Sequence, residues 1–213
     1  IVDDGFAIDW KVDMLLGSDS AVGVTKSMGL ATIGFADAFA HLAPDLVVIL
    51  GDRFEILAAA SAALIAGIPM AHLHGGEVTE GAYDDAIRHA LTKMAHLHFT
   101  AAEPYRARVI QMGEDPARVW CVGGFGLDGV QKLDRMTRPE LEESLGLSLG
   151  EQALMVTFHP ETASGAAPRT QMAELLAALE ESLAQLIFTM PNADNEGRAL
   201  FGMIEDFVAR HPG

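Results

Sequence analysis

The chain has 213 residues, 50% hydrophobic and 21% charged, which is enough apolar material for the core of one large domain or two small ones. Its formal net charge of −16 at pH 7 excludes a general nucleic-acid-binding role, because phosphate contacts need a basic surface. A small anionic substrate is still allowed, since a pocket can be locally positive on an acidic protein.

Apolar runs and helical patterns alternate along the first part of the chain. Runs rich in leucine and β-branched residues predict strands at residues 46–50, 68–76, 96–102 and 118–124. The helical patterns between them, with acids or proline at their starts and glycine at their ends, predict helices at 54–67, 84–95 and 103–113. This alternation indicates right-handed βαβ units and a parallel sheet covered by helices on both faces.

The composition changes near Thr137, where the chain becomes charged, helical and then loop-like. A second cycle follows, with strands predicted at 153–160 and 185–192 and helices at 168–184 and 196–211. We therefore predict two domains, residues 1–149 and 150–213. Two strands cannot close a full sheet, and Ile1 opens on what looks like mid-domain sequence. We expect a piece of a longer protein in which both domains are incomplete.

Polar residues follow the predicted strands at their carboxyl ends, where parallel sheets bind ligands. Asp52 comes directly after the first strand, and Gly51 before it lets the backbone approach a ligand. The same Gly51-Asp52-Arg53 stretch can instead be a turn in which Asp52 caps the next helix. The double glycine at 123–124 follows the fourth strand. The position of these residues is the strongest physical indication of a site.

The run HLHGGE, residues 72–77, ends the second strand. His72 and His74 are two residues apart and point to one face of it. With a third histidine they could bind a metal, but the spacing is not specific, and we favour histidines hydrogen-bonded in a core or crevice. Gly75 and Gly76 allow a tight exit toward the next helix, and Glu77 lies at its rim.

Asp84, Asp85 and Arg88 open the following helix. Asp84 and Arg88 are four residues apart on one helical face, so they can form an ordinary surface ion pair. Alternatively, the arginine grips a phosphate or fixes a neighbouring carboxylate that acts as a base. The nearby double-glycine loop favours this second interpretation.

Three polar residues occupy matching places in the second cycle. His159 lies near the carboxyl end of the strand predicted at 153–160, and Asn192 and Asp194 lie at and just beyond the end of the strand predicted at 185–192. A lone histidine is more often structural, and the other two residues are typical of turns and helix caps. Their repeated location at strand ends makes all three candidates for a ligand site.

The cysteine content and the absence of a recognisable targeting segment indicate the expected redox chemistry and cellular location. The single cysteine, Cys121, excludes an internal disulfide and a thiolate metal cluster, and its apolar surroundings predict a small buried side chain. No signal peptide is recognisable, and no apolar run is long enough to span a bilayer. We expect a cytoplasmic protein that does not associate with membranes.

Several long motifs occur in a recognisable order. They are ILGDRFE, IPMAHLHGGEVTEGAYDDAIRHALTKMAHLHF, RVIQMGEDPARVWCVGGFGLD, TFHPET and FTMPNADNEGR. Together they resemble the hydrolysing UDP-N-acetylglucosamine 2-epimerases, in particular the bacterial branches that supply sialic acid and legionaminic acid synthesis. The resemblance implies an α/β fold with two Rossmann-like domains in a glycosyltransferase-B arrangement, with the substrate in the cleft between them. It also implies self-association into a homo-oligomer.

The resemblance also implies roles for individual residues. Asp52 matches the family's first catalytic aspartate, Asp84 the acid of its second catalytic cluster and Arg88 the arginine of that cluster. His159 matches the histidine supplied by the second domain. His74 stands where other branches carry a glutamate, so either His74 or Glu77 takes that role here.

The implied reaction converts UDP-N-acetylglucosamine and water to N-acetylmannosamine and UDP, by anti-elimination to a 2-acetamidoglucal followed by hydration. Two alternatives remain open: the same reaction on UDP-N,N′-diacetylbacillosamine, and a nucleotide-sugar binding fragment without turnover. Neither a nicotinamide cofactor nor a metal is required by this chemistry.

The resemblance and this chemistry lead to an assignment of roles in which Asp52 and Asp84 form the acid–base pair, with Glu77 or Asp85 as substitutes. Arg88 orients Asp84, and His159 contacts the diphosphate or the leaving oxygen. The residues predicted to bind substrate are Arg53, His74, Gly75, Gly76, Asp85, Asn192 and Asp194.

Overall fold

A parallel sheet forms the centre of the first part of the molecule. The computed structural model describes residues 1–18, 20–130, 133–159, 167–190 and 197–211. The sheet has the order β1-β2-β3-β4, and all neighbouring strands are parallel. Its strands are β1 (Val47–Leu50), β2 (Met70–Leu73), β3 (Leu97–Thr100) and β4 (Val119–Cys121). All four strands lie within the predicted ranges, and the predicted parallel pairing is confirmed.

Helices precede, connect and follow these strands. They are α1 (Ala21–Leu42), α2 (Phe54–Ile65), α3 (Asp84–Met94), α4 (Glu103–Gln111) and α5 (Phe125–Val130), with a short 3₁₀ turn at Pro116–Arg118 before β4. The sequence predicted α2, α3 and α4 but not α1 or α5. Helix α1 is rich in alanine, glycine and other apolar residues and has few charges, so it lacks the polar face that identifies an amphipathic helix. Ser20 caps it by accepting from the backbone N–H of Gly23 at 3.1 Å.

The core of this sheet depends on small side chains. Five alanines of α2 are buried, which lets the helix lie close to the strands. Ile49, Met70 and Leu91 are buried with Ala60, Ala63 and Ala95 in one cluster that joins α2, α3 and the sheet. This packing fixes where α3 begins, and therefore where its first polar residues lie relative to the strand ends.

The second cycle forms its own parallel pair of strands. Its elements are α6 (Arg138–Leu145), β5 (Ala153–Val156), α7 (Pro168–Glu180), β6 (Gln185–Phe188) and α8 (Gly197–Arg210). Met172, Leu176, Leu200, Ile204 and Phe207 form a separate core. All of these elements were predicted from the sequence.

The chain divides into two compact units, Ile1–Asp128 and Gly129–Gly213. This division falls earlier than the domain boundary predicted after residue 149. The reason lies in α6, since its residue Arg138 donates to the carbonyl oxygens of Leu149 and Gly150, the latter at 2.8 Å. Gly150 in turn donates to the side chain of Gln185 in β6 at 2.8 Å. Helix α6 is thereby joined to the second sheet.

Two further findings concern the surface. Cys121 is exposed, so the prediction of a buried cysteine is wrong. It ends β4, the edge strand of the sheet, where Trp120 and Val122 are also exposed. Within the described ranges, no helix has both the length and the apolarity needed to cross a membrane.

Candidate active site

Two adjacent strands deliver polar side chains to the same edge of the first sheet. Leu50 and Leu73 are paired at the carboxyl ends of β1 and β2. The chain leaves β1 through Gly51, whose φ of 83° is a left-handed conformation that suits glycine. It leaves β2 through His74, whose backbone N–H donates to the carbonyl of Phe99 at 2.9 Å. Asp52 and His74 therefore start from neighbouring positions, as the parallel-sheet rule predicts.

Arg88 lies at the centre of the polar contacts. Its side chain is 6% exposed and forms an ion pair with Asp52, whose side chain is 22% exposed. The same guanidinium donates to Thr79 Oγ1 at 2.8 Å and to Asp85 Oδ1 at 3.5 Å. Asp85 also accepts from the backbone N–H of Thr79 at 2.9 Å. Arg88 is thus held on several sides, and it fixes the Asp52 carboxylate while leaving part of it accessible.

His74 and Glu77 form a second pair. His74 Nδ1 donates to Glu77 Oε1 at 2.8 Å, and both side chains are partly exposed. The backbone of His74 has a φ of 64°, which is unusual for a residue with a side chain. The ring of Phe125 lies 5.3 Å from the His74 ring, measured between centroids. Backbone strain of this kind is found where a side chain must point in one required direction.

These two pairs face one cavity of about 340 Å³, a volume within the range of small-molecule sites. Its lining combines the ends of β1 and β2 with the starts of α3 and α5. The residues that line it are Leu50, Gly51, Asp52, His74, Glu77, Arg88, Phe125 and Gly126. The cavity lies wholly among residues of the first unit.

The double glycine is required by close packing. Gly76 has a φ of 83°, and a Cβ at this position would collide with the backbone carbonyl of Tyr105. A Cβ on Gly75 would lie 3.0 Å from Thr92 Oγ1 and 3.2 Å from His72 Nδ1. The loop between β2 and α3 therefore needs glycine at residue 76, while a side chain at residue 75 would crowd Thr92 and His72. This path places Glu77 beside His74.

His72 is buried beneath the cavity. It is fully inaccessible to solvent, and its two ring nitrogens lie 2.9 Å from the carbonyl of Gly51 and 3.2 Å from Thr92 Oγ1. Burial lowers its pKa from 6.5 to about 4, since the charged ring would lose its hydration. His98, its partner in register on β3, has a pKa that burial also lowers. His72 is thus a hydrogen-bonded core histidine, the interpretation that the sequence favoured.

These buried histidines predict a pH dependence of stability. Because folding lowers the pKa of His72, the unfolded chain binds a proton at this residue more readily than the folded chain does. The free energy of unfolding is therefore unaffected by His72 above pH 6.5 and decreases as the pH falls from 6.5 toward 4. From pH 7 to pH 5, His72 alone should remove about 2 kcal/mol from the free energy of unfolding. Both tryptophans, Trp10 and Trp120, lie in the first unit, so their fluorescence during urea unfolding reports this unit.

The variant His72→Gln is the control for this prediction, because glutamine cannot gain the proton. Its stability should fall by a smaller amount over the same pH range, with the remainder due to His98. A wild-type free energy of unfolding that is equal at pH 7 and pH 5 would contradict the assignment of two neutral, buried histidines.

The structure places the other predicted residues as follows. Asp84 is the first residue of α3, at the same sheet edge as Asp52, but it does not line the cavity described above. Arg53 lies at the start of α2 and donates to Glu55 at 3.3 Å. His159 is exposed in the second unit. Its contact with a diphosphate stays a prediction.

Asn192 and Asp194 lie outside the described residues. Among the residues that the structure describes, no group of three or more His, Cys, Asp or Glu side chains is arranged to hold a metal ion.

Sequence reasoning missed three contributors to the site. Phe125 and Gly126 line the cavity, and Thr92 contacts His72. The sequence did carry a signal for Phe125 and Gly126, because they follow the double glycine that ends the fourth predicted strand, and strand ends are where the cavity lies. Nothing in the sequence marked Thr92, because a threonine inside a helix carries no distinctive pattern.

The fold and the cavity define a class: a Rossmann-like α/β protein with acidic groups gathered at the carboxyl ends of parallel strands. The chain belongs to the UDP-N-acetylglucosamine 2-epimerase family, which it matches over residues 1–211. The resemblance found in its motifs is thereby confirmed.

Individual relatives agree with this membership. A Campylobacter jejuni protein named GDP/UDP-N,N′-diacetylbacillosamine 2-epimerase (hydrolyzing) is 38% identical over 99% of this chain and 55% of its own length. The polysialic acid biosynthesis protein P7 of Escherichia coli is 40% identical over 91% of this chain and 50% of its own length. The chain therefore spans about half the length of these relatives.

A solved structure supports the fold. The UDP-GlcNAc 2-epimerase of Methanocaldococcus jannaschii, in complex with UDP-GlcNAc and UDP, is similar with a TM-score of 0.70 at 16% identity. The match covers 89% of this chain and 53% of that structure. The predicted fold class, α/β with Rossmann-like domains of the glycosyltransferase-B type, is confirmed.

Proposed function

We propose that the protein containing this chain is a hydrolysing 2-epimerase of a UDP-linked 2-acetamido sugar. One observation carries the proposal: the Asp52–Arg88 pair and the His74–Glu77 pair come from different strand–helix junctions and face one cavity. Family membership and the names of the relatives support it.

The chemistry needs groups of this kind. The hydrogen on C2 of the sugar is barely acidic, because no carbonyl is attached to that carbon. Breaking the bond between C1 and the diphosphate oxygen puts positive character on C1, after which a base can take the C2 proton. The product of this step is a 2-acetamidoglucal, with UDP as the leaving group. Water then adds its hydroxyl to C1, and a proton returns to C2 from the opposite face.

Two acid–base groups on different sides of the ring are therefore required, each contributing about 10²–10⁴-fold to the rate. Asp52 and Asp84 are our assignment for this pair, with Glu77 as the substitute. The cavity favours Glu77 over Asp85 as that substitute, because Glu77 lines it beside Asp52 and Asp85 does not. His74 Nδ1 orients the Glu77 carboxylate, which takes the place of the glutamate that other branches carry at residue 74.

We also propose which sugar the UDP carries. We favour UDP-N-acetylglucosamine, giving N-acetylmannosamine for sialic acid synthesis, and the printed name of the E. coli relative supports this choice. The name of the C. jejuni relative supports UDP-N,N′-diacetylbacillosamine as the alternative. We further expect a cytoplasmic protein, and a homo-oligomer as the resemblance implies.

Turnover in D₂O tests the reaction. The product of the full gene is incubated with each UDP-sugar, and UDP release and the free sugar are followed by NMR. We expect one deuterium at C2 of a free sugar with inverted C2 configuration, because that carbon loses its proton and regains one from solvent. The better substrate should have the higher kcat/KM, and that comparison decides between the two sugars.

Three outcomes would contradict parts of the proposal. Release of UDP with hydrogen retained at C2 would exclude the elimination. Transfer of the sugar to an acceptor would indicate a glycosyltransferase of the same fold. Binding of UDP without any turnover, in both the 213-residue chain and the product of the full gene, would indicate a binding protein.

A further inference from the structure

A buried histidine holds the turn that joins β1 to Asp52. His72 Nε2 lies 2.9 Å from the carbonyl oxygen of Gly51. That oxygen belongs to the peptide that joins Gly51 to Asp52, so this contact fixes the peptide plane from which the Asp52 side chain departs. Gly51 has a φ of 83°, and among the described residues no atom beyond its two chain neighbours lies within 4 Å of the place where a Cβ would be. Hydrogen bonds therefore hold this turn: the Gly51 N–H donates to the carbonyl of Leu73 at 3.4 Å, and the Gly51 carbonyl accepts from His72 in the shorter contact.

The hydrogen-bond partners determine the protonation of the ring. A carbonyl oxygen only accepts, so Nε2 of His72 carries the hydrogen. In the neutral ring Nδ1 is then an acceptor, and it receives the hydroxyl hydrogen of Thr92 at 3.2 Å. The lowered pKa of His72, about 4, keeps the ring in this neutral state near pH 7. Both nitrogens are used, and the ring has one orientation.

Helix α3 supplies both supports of Asp52. Arg88 and Thr92 are four residues apart and lie on one face of the helix. Arg88 binds the carboxylate of Asp52 directly, while Thr92 acts on the preceding carbonyl through His72. One rigid element thus fixes the end of the Asp52 side chain and the start of its backbone.

Resting on the proposed function, we propose that His72 and Thr92 are positioning residues that aim the Asp52 carboxylate by fixing the Gly51–Asp52 peptide. Neither side chain lines the cavity, so neither touches the substrate. We expect their effect on the rate to act through the geometry of Asp52, since displacements of about 1 Å near a reacting carbon can cost about 100-fold in rate.

His98 provides a matched control. It is paired with His72 in register on β3, is equally buried, and also has a pKa lowered by burial. Its Nε2 donates to Glu114 at 3.1 Å, and Glu114 forms an ion pair with Lys93. None of these three residues lines the cavity. Replacing His98 should therefore disturb the core as much as replacing His72, without moving Asp52.

The test compares variants of the product of the full gene. His72→Met keeps the volume but removes the donor, so kcat should fall by about 10–100-fold with KM within about 3-fold. His72→Gln places an amide N–H near the Nε2 position and should regain most of kcat. His98→Met should lose stability to a similar extent while keeping the wild-type kcat. A structural role alone would not produce this difference between the two methionine variants.

A milder pair of variants covers the case in which His72→Met does not fold. Thr92→Val removes the hydroxyl while keeping the shape, and should lower kcat by about 3–10-fold because the His72 ring loses one of its two anchors. Thr92→Ser keeps the hydroxyl and should stay near wild type. If Thr92→Val, or a folded His72→Met, turns over like the wild type, the inference is overturned.

Failure of the proposed function would be distinguishable from failure of this inference. A wild-type protein that does not turn over contradicts the function, and the His72 hydrogen bond is then read by NMR of ¹⁵N-histidine and ¹³C-carbonyl labelled protein. A hydrogen on Nε2, with scalar coupling to the Gly51 carbonyl, supports the positioning contact. A hydrogen on Nδ1, or no coupling, overturns it.

Discussion

The variant Asp52→Asn should reduce kcat of the product of the full gene by about 10³-fold, within the range that a general acid or base contributes. Asparagine has nearly the same shape as aspartate but cannot take or give the proton at C2. Arg88, which is itself held by Thr79, remains beside the side chain, so the KM for the UDP-sugar should change little. Initial rates of UDP release at saturating substrate measure the effect.

Asp45→Asn is the control for this substitution. Asp45 is exposed and precedes β1 at the opposite end of the strand from Asp52. The chemical change is identical, and kcat should stay within about 2-fold of the wild type because surface substitutions away from a site have small effects. An Asp52→Asn variant with normal turnover would remove Asp52 from the scheme and leave Asp84 and Glu77 as its acid–base groups.

The fold could be predicted because its pattern is repetitive. Short apolar strands alternate with helices that begin and end at recognisable residues, and this pattern permits one arrangement, a parallel sheet with covering helices. Helix α1 escaped because it is apolar on most sides, and α5 because six residues form no clear period. In both cases the periodic signal is weak, although tertiary packing is sufficient to form the helix.

The site could be predicted as a region but not as a set of contacts. The carboxyl ends of parallel strands meet at one edge, which brings Asp52, His74, Glu77 and Arg88 together. Which carboxylates Arg88 binds depends on how α3 sits against the sheet, whereas the helical spacing pointed to Asp84. The structure shows Asp52 and Asp85 as partners of Arg88. Pairing between distant segments is set by core packing, which sequence spacing does not encode.

The backbone of His74 was also beyond prediction. A non-glycine residue with a φ of 64° has no sequence signature, and only the closely packed double glycine after it explains why the chain turns there. This turn converts a residue that would continue the strand into one that contacts Glu77 and lines the cavity. The pair of His74 and Glu77 is therefore a property of the loop path and not of either residue alone.

The second large effect is expected for Arg88→Met, which should lower the free energy of unfolding of the first unit by about 2–3 kcal/mol. Removing one member of a buried ion pair leaves the other charge without compensation, and fully buried cases cost more. Asp52 is 22% exposed, so water can solvate part of its charge and the loss lies at the lower end. Urea unfolding followed by tryptophan fluorescence measures this loss, because both tryptophans lie in the first unit.

A double-mutant cycle separates the charge effect from the loss of packing. In an Asp52→Asn background, Arg88→Met should cost about 1–2 kcal/mol less, because no charged Asp52 is left without a partner. Arg210→Met removes an exposed arginine 3.9 Å from Glu180 in the second unit, and should change the stability of that unit by less than about 1 kcal/mol. Circular dichroism measures this control, because both tryptophans lie in the first unit. Equal costs of Arg88→Met in the two backgrounds would show that Arg88 stabilises the unit by packing and its other hydrogen bonds. Asp52 would then be held chiefly from the backbone side, through His72 and Gly51.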